Sequence, residues 1–171
     1  MRIRTETPAD RPAALAVTEA AFAPRASGDR PVEAVLLEQL WVSPAYLPAL
    51  SLVAEDDGGT LCGYVLTTRA HIGHVPSLGL GPIGVLPARQ GQGVGRLLLE
   101  ESIARAAGLG ESSLVLLGSP AFYGRFGFVR ADALGVNPPE PAWGADFMIR
   151  SLNDAGLPTG NFRYAPPFEA L

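Results

Sequence analysis

Two stretches of this 171-residue chain hold residue types with chemistry in them. The first is Gln90-Gly91-Gln92-Gly93-Val94-Gly95-Arg96, where three glycines alternate just ahead of a segment with helical periodicity. A bend without side chains lets backbone N–H groups converge on an anion, and a helix starting there adds roughly half a positive charge. Diphosphate is the natural guest. Two common diphosphate signatures are absent. The pattern G-x-G-x-x-G would need glycine where Arg96 or Leu98 stands, and no Gly-Lys-Ser/Thr follows for a P-loop. The second stretch is Ser119-Pro-Ala-Phe-Tyr-Gly-Arg-Phe-Gly-Phe128. It carries Tyr123, a phenol that is protonated at neutral pH and able to give that proton up.

The elements that must hold these stretches follow from spacing. Ahead of the glycines, the apolar run from Ser77 to Leu86 reads as a strand, interrupted by Gly81, Pro82 and Gly84. Proline donates no ladder hydrogen bond, so Pro82 belongs at an unpaired edge or a bulge. Behind the glycines, Gly95, Leu98, Leu99, Ser102, Ile103 and Ala106 form one helical face over Arg96 to Ala107, and Gly108 stops it. Upstream, Arg2 to Thr5 reads as a strand, and Thr7-Pro-Ala-Asp10 as a capping box with proline at the first helical position. Leu15, Thr18, Glu19 and Phe22 then mark one helix face, and Ala23 to Asp29 a loop. Pro31 opens a second helix with Val32, Val35, Leu36 and Leu40 inward, leaving Leu37 and Trp41 to roof a pocket. Leu50 to Ala54, the turn Asp56 to Gly59 and Leu61 to Arg69 make a hairpin. Downstream come a strand at Ser113 to Leu117, a short helix from Ser119-Pro120, a strand beginning at Phe128-Val129, a rigid loop Asn137 to Pro141 and a strand at Ala145 to Leu152. Phe162, Tyr164 and Phe168 pin down a Pro/Gly-punctuated tail. This order predicts an α/β fold with a mixed sheet.

The loop Gln90-Gly-Gln-Gly93-Val-Gly95 resembles the Gln/Arg-x-x-Gly-x-Gly/Ala loop of the Gcn5-related N-acetyltransferases, and Tyr123 to Phe128 resembles their Tyr-x-x-x-Gly-Phe signature. Together with Leu-Gly-Leu-Gly-Pro-Ile-Gly-Val-Leu-Pro, the two look most like the small bacterial YhbS-like branch. The resemblance implies that family's fold over residues 1–171 as a single domain: a mixed central sheet splayed between two strands, with helices on both faces. It implies acetyl-CoA as co-substrate, without a metal. Gln90, Gly91, Gln92, Gly93, Val94, Gly95 and Arg96 would hold the pyrophosphate, and Ile83, Gly84 and Val85 the pantetheine arm. The N–H of Val85 would polarise the thioester carbonyl, and Tyr123 would protonate the departing thiolate. The acceptor implied is a primary amine of a small molecule or peptide, attacking directly in a ternary complex. A non-catalytic acyl-CoA-binding sensor keeps the loop without needing Tyr123, and a nucleotide-binding α/β protein is the third alternative.

An amine near pKa 10.4 must lose a proton before it attacks. Many members of that family carry a carboxylate on the splayed strand, whereas Leu78 to Leu86 here contains no acid. Glu33, Glu38, His71 and His74 remain candidate proton acceptors. Trp41, Tyr46 and Trp143 are candidates for lining an acceptor pocket or for packing. With 47% apolar and 18% charged residues the chain reads as globular. Its net charge of −4 speaks against a nucleic-acid partner and leans towards a cationic amine. The single Cys62 excludes an intrachain disulfide and reads as a small buried residue beginning a strand. Without an apolar leader or a membrane-length stretch, a cytoplasmic monomer or homodimer with no membrane partner is expected.

Overall fold

The structure, a computed structural model, describes residues 1–23 and 28–171. Nine strands form one sheet: β1 (Arg2–Thr5), β2 (Tyr46–Glu55), β3 (Leu61–Ile72), β4 (Val75–Val85), β5 (Ser113–Leu117), β6 (Val129–Arg130), β7 (Val136–Asn137), β8 (Phe147–Ser151) and β9 (Gly160–Arg163). Their order is β1-β2-β3-β4-β5-β8-β6, with β9 beside β3 and β7. The pairs β4–β5 and β7–β9 are parallel and the others antiparallel. The helices are α1 (Arg11–Phe22), α2 (Val32–Trp41), α3 (Val94–Gly108) and the single turn α4 (Pro120–Tyr123). The mixed, open sheet with flanking helices is the expected architecture. Among the described residues no helix is long and apolar enough to cross a membrane.

The long helix α3 follows its sequence pattern closely. It buries Val94, Leu98, Leu99, Ser102, Ile103 and Ala106, with Val94 taking the place expected of Gly95. These residues join Leu52, Ala54, Val65, Leu78 and Leu114 in the main core. Buried Ser102 satisfies its hydroxyl by donating to the Leu98 carbonyl at 2.8 Å. Cys62 is buried as expected, and burial pushes its thiol up.

The two N-terminal helices depart from their patterns. On α1 the buried residues are Ala14, Val17 and Thr18, while Leu15 and Phe22 are half-buried and Glu19 pairs with Arg30 at 2.6 Å. Small residues win because α1 lies close on β4: a Cβ at Gly84 would sit 3.1 Å from that of Ala21. On α2 the face is Ala34, Leu36, Leu37 and Leu40, so Val32 and Val35 are exposed and Leu37 is fully buried. The loop expected over Ala23 to Asp29 falls partly on residues 24–27, outside the described residues.

Trp41 and Tyr46 are both claimed by a buried carboxylate. Glu6 accepts hydrogen bonds from Trp41 Nε1 at 3.1 Å, the Tyr64 hydroxyl at 3.1 Å, the Tyr46 hydroxyl at 3.3 Å and Ser51 Oγ. Arg11 supplies the countercharge at 2.8 Å and lies over the Trp41 and Tyr46 rings. A charge this buried persists only when paired and fully hydrogen-bonded. The network fastens α1 and α2 to β1, β2 and β3.

Candidate active site

The sheet opens where the sequence places Pro82. β4 pairs with β5 only at Leu78↔Leu114 and Gly79↔Val115. Beyond that point β5 continues along β8 while β4 runs on beside β3. Gly81 and Pro82 stand opposite Leu66 as a bulge, because the register steps from Val65↔Ile83 to Thr67↔Leu80. The expected splay is therefore present, with a proline at its start.

Backbone direction along the free part of β4 decides which groups serve the opening. Leu86 N–H donates to the Cys62 carbonyl at 2.9 Å, which makes Gly63↔Val85 and Val65↔Ile83 non-hydrogen-bonded pairs of the β3–β4 ladder. The N–H and C=O groups of Ile83 and Val85 consequently point away from β3, into the split. Those of Gly84 point into the ladder with Tyr64. The bare Cα of Gly84 faces Thr18, Ala21 and Phe22 of α1. Gly84 seats the helix α1, and the backbone groups that point outward are those of its two neighbours.

At the end of β4 the glycine loop turns into α3. Gly91 and Gly93 hold left-handed conformations, with φ of 74° and 85°. A Cβ at Gly91 would meet nothing within 4 Å, and one at Gly93 only Arg96 Nε at 3.9 Å. Leu97 N–H bonds the Gly93 carbonyl at 3.1 Å, so the N–H groups of Val94, Gly95 and Arg96 precede the first bond of the helix and have no acceptor within it. This bare, donor-rich cradle fits a diphosphate. The first helical turn abuts the strand end, with Gly95 lying 3.8 Å, by a built Cβ, from Val85 Cγ2. The glutamines act on the protein itself. Gln90 Nε2 donates to the Val85 carbonyl at 3.1 Å, and Gln92 Nε2 to the Ala88 carbonyl at 3.2 Å. The Val94 side chain is buried in the core, leaving its N–H for the loop. Arg96 is exposed and only loosely paired with Glu100, at 3.5 Å.

Tyr123 stands on the opposite bank. Its ring packs against Gly118, where a Cβ would come within 2.2 Å of Cε2, and meets Phe122 and Phe128 edge-on. Burial pushes its phenol above the usual value, and among the described residues its hydroxyl has no hydrogen-bond partner. A cavity of about 780 Å³ occupies the split, lined by Leu80 to Ile83 from β4, Leu116 to Ser119 from the end of β5, and Tyr123. Val85 and the glycine loop lie outside its lining, at the end of β4. Of the four candidate proton acceptors, Glu33 lines the cavity. Glu38 is spent on Arg30 at 2.7 Å, His71 is in register with Arg163 of β9, and His74 is exposed in the β3–β4 turn. Trp143 also lines the cavity, with Glu140, Tyr164, Phe168 and Glu169, which spacing alone did not mark as site residues.

The acetyltransferase (GNAT) domain family model matches residues 48–130. An N-acetyltransferase of unassigned role from Escherichia coli K12, YhbS, is 32% identical over 159 residues, covering 92% of this chain and 90% of its own. Two crystal structures superpose on nearly all of the chain. A GNAT family acetyltransferase from Brucella melitensis, in complex with acetyl-CoA, is 35% identical with a TM-score of 0.80, covering 98% of this chain and 97% of its own. YhbS from E. coli, in complex with CoA, is 29% identical with a TM-score of 0.86, covering 98% and 91%. With the split sheet and the loop described above, this identity over almost the full length establishes that the chain belongs to the Gcn5-related N-acetyltransferases.

Proposed function

We propose that the protein transfers an acetyl group from acetyl-CoA to a primary amine of a small molecule or peptide, by direct attack while both substrates are bound. The observation that carries this reading is a set of free backbone donors at the end of β4 and the start of α3, beside a split whose lining includes the Tyr123 phenol. The N–H groups at the start of α3 and the left-handed Gly91 and Gly93 offer the pyrophosphate a cradle free of side chains. The outward backbone groups of Ile83 and Val85 offer the pantetheine arm ladder-like partners. The Val85 N–H, its carbonyl fixed by Gln90, is held to stabilise negative charge developing on the thioester oxygen. Bound CoA solubilises and presents the activated acyl group.

Proton traffic falls to two side chains. The Tyr123 hydroxyl, neutral and unspent, gives its proton to the thiolate as it leaves. Glu33, at the cavity wall, takes the proton of the attacking amine directly or through water. Support for these roles is positional: both groups line the cavity in the split. Replacement of Tyr123 by phenylalanine tests the reading. Transfer to an amine panel is expected to fall about 10²-fold while CoA affinity by calorimetry holds. Full activity in the variant would remove Tyr123 from the chemistry. CoA binding by the wild type without transfer to any amine would favour a sensor.

A further inference from the structure

The lining of the cavity includes, besides Tyr123, a group of aromatic rings and glutamates. Tyr164 stacks on Phe168 with ring centres 4.5 Å apart, and Trp143 meets Tyr164 edge-on at 6.3 Å. The Tyr164 ring is seated on Gly79 of β4, where a Cβ would come within 2.6 Å of it. Two exposed glutamates share this lining: Glu140, whose backbone carbonyl receives the Trp143 backbone N–H at 3.0 Å, and Glu169, next in the chain to Phe168. Glu33 lines the same cavity. None of the three is in an ion pair among the described residues. The opposing charge on the lining is Arg163, which is exposed and gives a hydrogen bond to the Gly73 carbonyl at 3.2 Å. The Tyr164 hydroxyl has no partner among the described residues, and burial keeps it neutral, so it stays available to a guest.

Unpaired carboxylates at the edge of an apolar, aromatic hollow attract cations strongly. Ring faces add a quadrupole attraction for ammonium, and a low-dielectric wall focuses the negative field. We propose that the acceptor is an alkyl amine carrying a second positive charge, which Trp143, Tyr164 and Phe168 hold between Glu140 and Glu169 while its free amine turns towards Tyr123. The proposal rests on the cavity being the acetyl-transfer site. It adds a rule of selection: a cationic tail is taken, a neutral one is tolerated and an anionic one is refused.

The test is a panel of amines of similar length with acetyl-CoA: butylamine, 1,4-diaminobutane, 1,5-diaminopentane and 4-aminobutanoate. The expected result is a kcat/KM at least tenfold higher for the diamines than for butylamine, with 4-aminobutanoate lowest, and a diamine advantage that shrinks with added salt. In the double variant Glu140→Gln/Glu169→Gln the ratio of diamine to butylamine should collapse towards unity, its melting temperature showing that it is folded. Equal rates for all tails, a preference for the anionic one, or a diamine advantage that survives the double variant would overturn the proposal. The two readings fail differently. Turnover of butylamine without a diamine preference sinks the cationic pocket alone, whereas acetyl-CoA binding with no amine turned over sinks the pocket and the transferase reading together. Absence of acetyl-CoA binding sinks the transferase reading beneath it.

Discussion

Tyr123 and Gly118 show how one residue's placement depends on what its neighbour lacks. Only a glycine leaves room for the ring, since a Cβ at 118 would overlap it at 2.2 Å. Gly118→Val is therefore expected to push the phenol out of the cavity and lower kcat about as much as loss of the hydroxyl. KM for acetyl-CoA should change little, because the loop on the other bank is untouched; steady-state kinetics separates the two. Gly93 gives a contrasting case. A valine there meets open space but must adopt a φ of 85°, and its side chain would fill the room the phosphates need. Calorimetry should show CoA affinity falling by about tenfold or more, and unchanged affinity would place the diphosphate elsewhere. Tyr123 and the loop glycines were legible as residues because their chemistry is local. Glu140, Glu169 and Tyr164 were not, because the loop ahead of β8 and the folded-back tail bring them to the cavity from separate parts of the chain, and no spacing records that meeting.

The joint between β1 and α1 shows the same division among elements. Thr7 and Asp10 form the expected capping box, on a short 3-10 turn that leads into α1. What the sequence could not show is Arg4 clamping Asp10 at 2.7 Å and Glu55 at 2.7 Å, which ties the cap to the sheet edge. The Arg4 guanidinium, with help from the Thr7 groups, holds the Asp10 carboxyl well below the usual carboxylate range. A depressed folded-state pKa contributes stability that is present above the unfolded value of about 3.9 and is lost as the pH falls below it. Thermal melts from pH 6 down to pH 2 should thus show a falling midpoint, and Asp10→Asn should flatten part of that slope while costing about 1 kcal/mol at neutral pH. An unaltered slope would assign the acid sensitivity to other carboxylates. Glu6→Ala tests the neighbouring network. Removing the shared acceptor strands Arg11 and leaves the hydroxyls of Ser51 and Tyr64 with one partner fewer, at a cost of about 3 kcal/mol by denaturant unfolding. The buried face of α3 was readable because large aliphatics repeat along it. Those of α1 and α2 were readable in part, at Thr18, Leu36 and Leu40; on α1 small residues pack where the helix closely approaches β4, and on α2 Leu37 is buried where Val32 and Val35 were expected.

As a whole, the molecule is a sheet in two parts that touch along one short seam. On one side β1 to β4 pair continuously, on the other β5, β8 and β6, and the parallel join spans only Leu78 and Gly79 opposite Leu114 and Val115. The buried hydroxyls of Ser77 and Ser113 meet at 2.7 Å beside it. Pro82 announced the break, but the position of β9, which returns to pair with His71 and Ile72, could not be read from a tail of prolines and glycines. A ligand lying in the split would substitute for the missing ladder and bridge both parts, so its binding should be felt globally. At one hundred times its Kd, CoA adds about 2.7 kcal/mol to stability, which for a chain of this size raises the melting temperature by about 5–10 °C. Hydrogen exchange gives the location: the amides of Ile83 and Val85, which point into the split, and of Val94 to Arg96 should slow markedly, while those paired in the β1–β2 ladder change little. Gly93→Val should shrink the thermal shift and the slowing together at matched CoA concentration. A thermal shift without protection at Ile83 and Val85 would mean that CoA binds outside the split and that the outward-facing edge of β4 is not its partner.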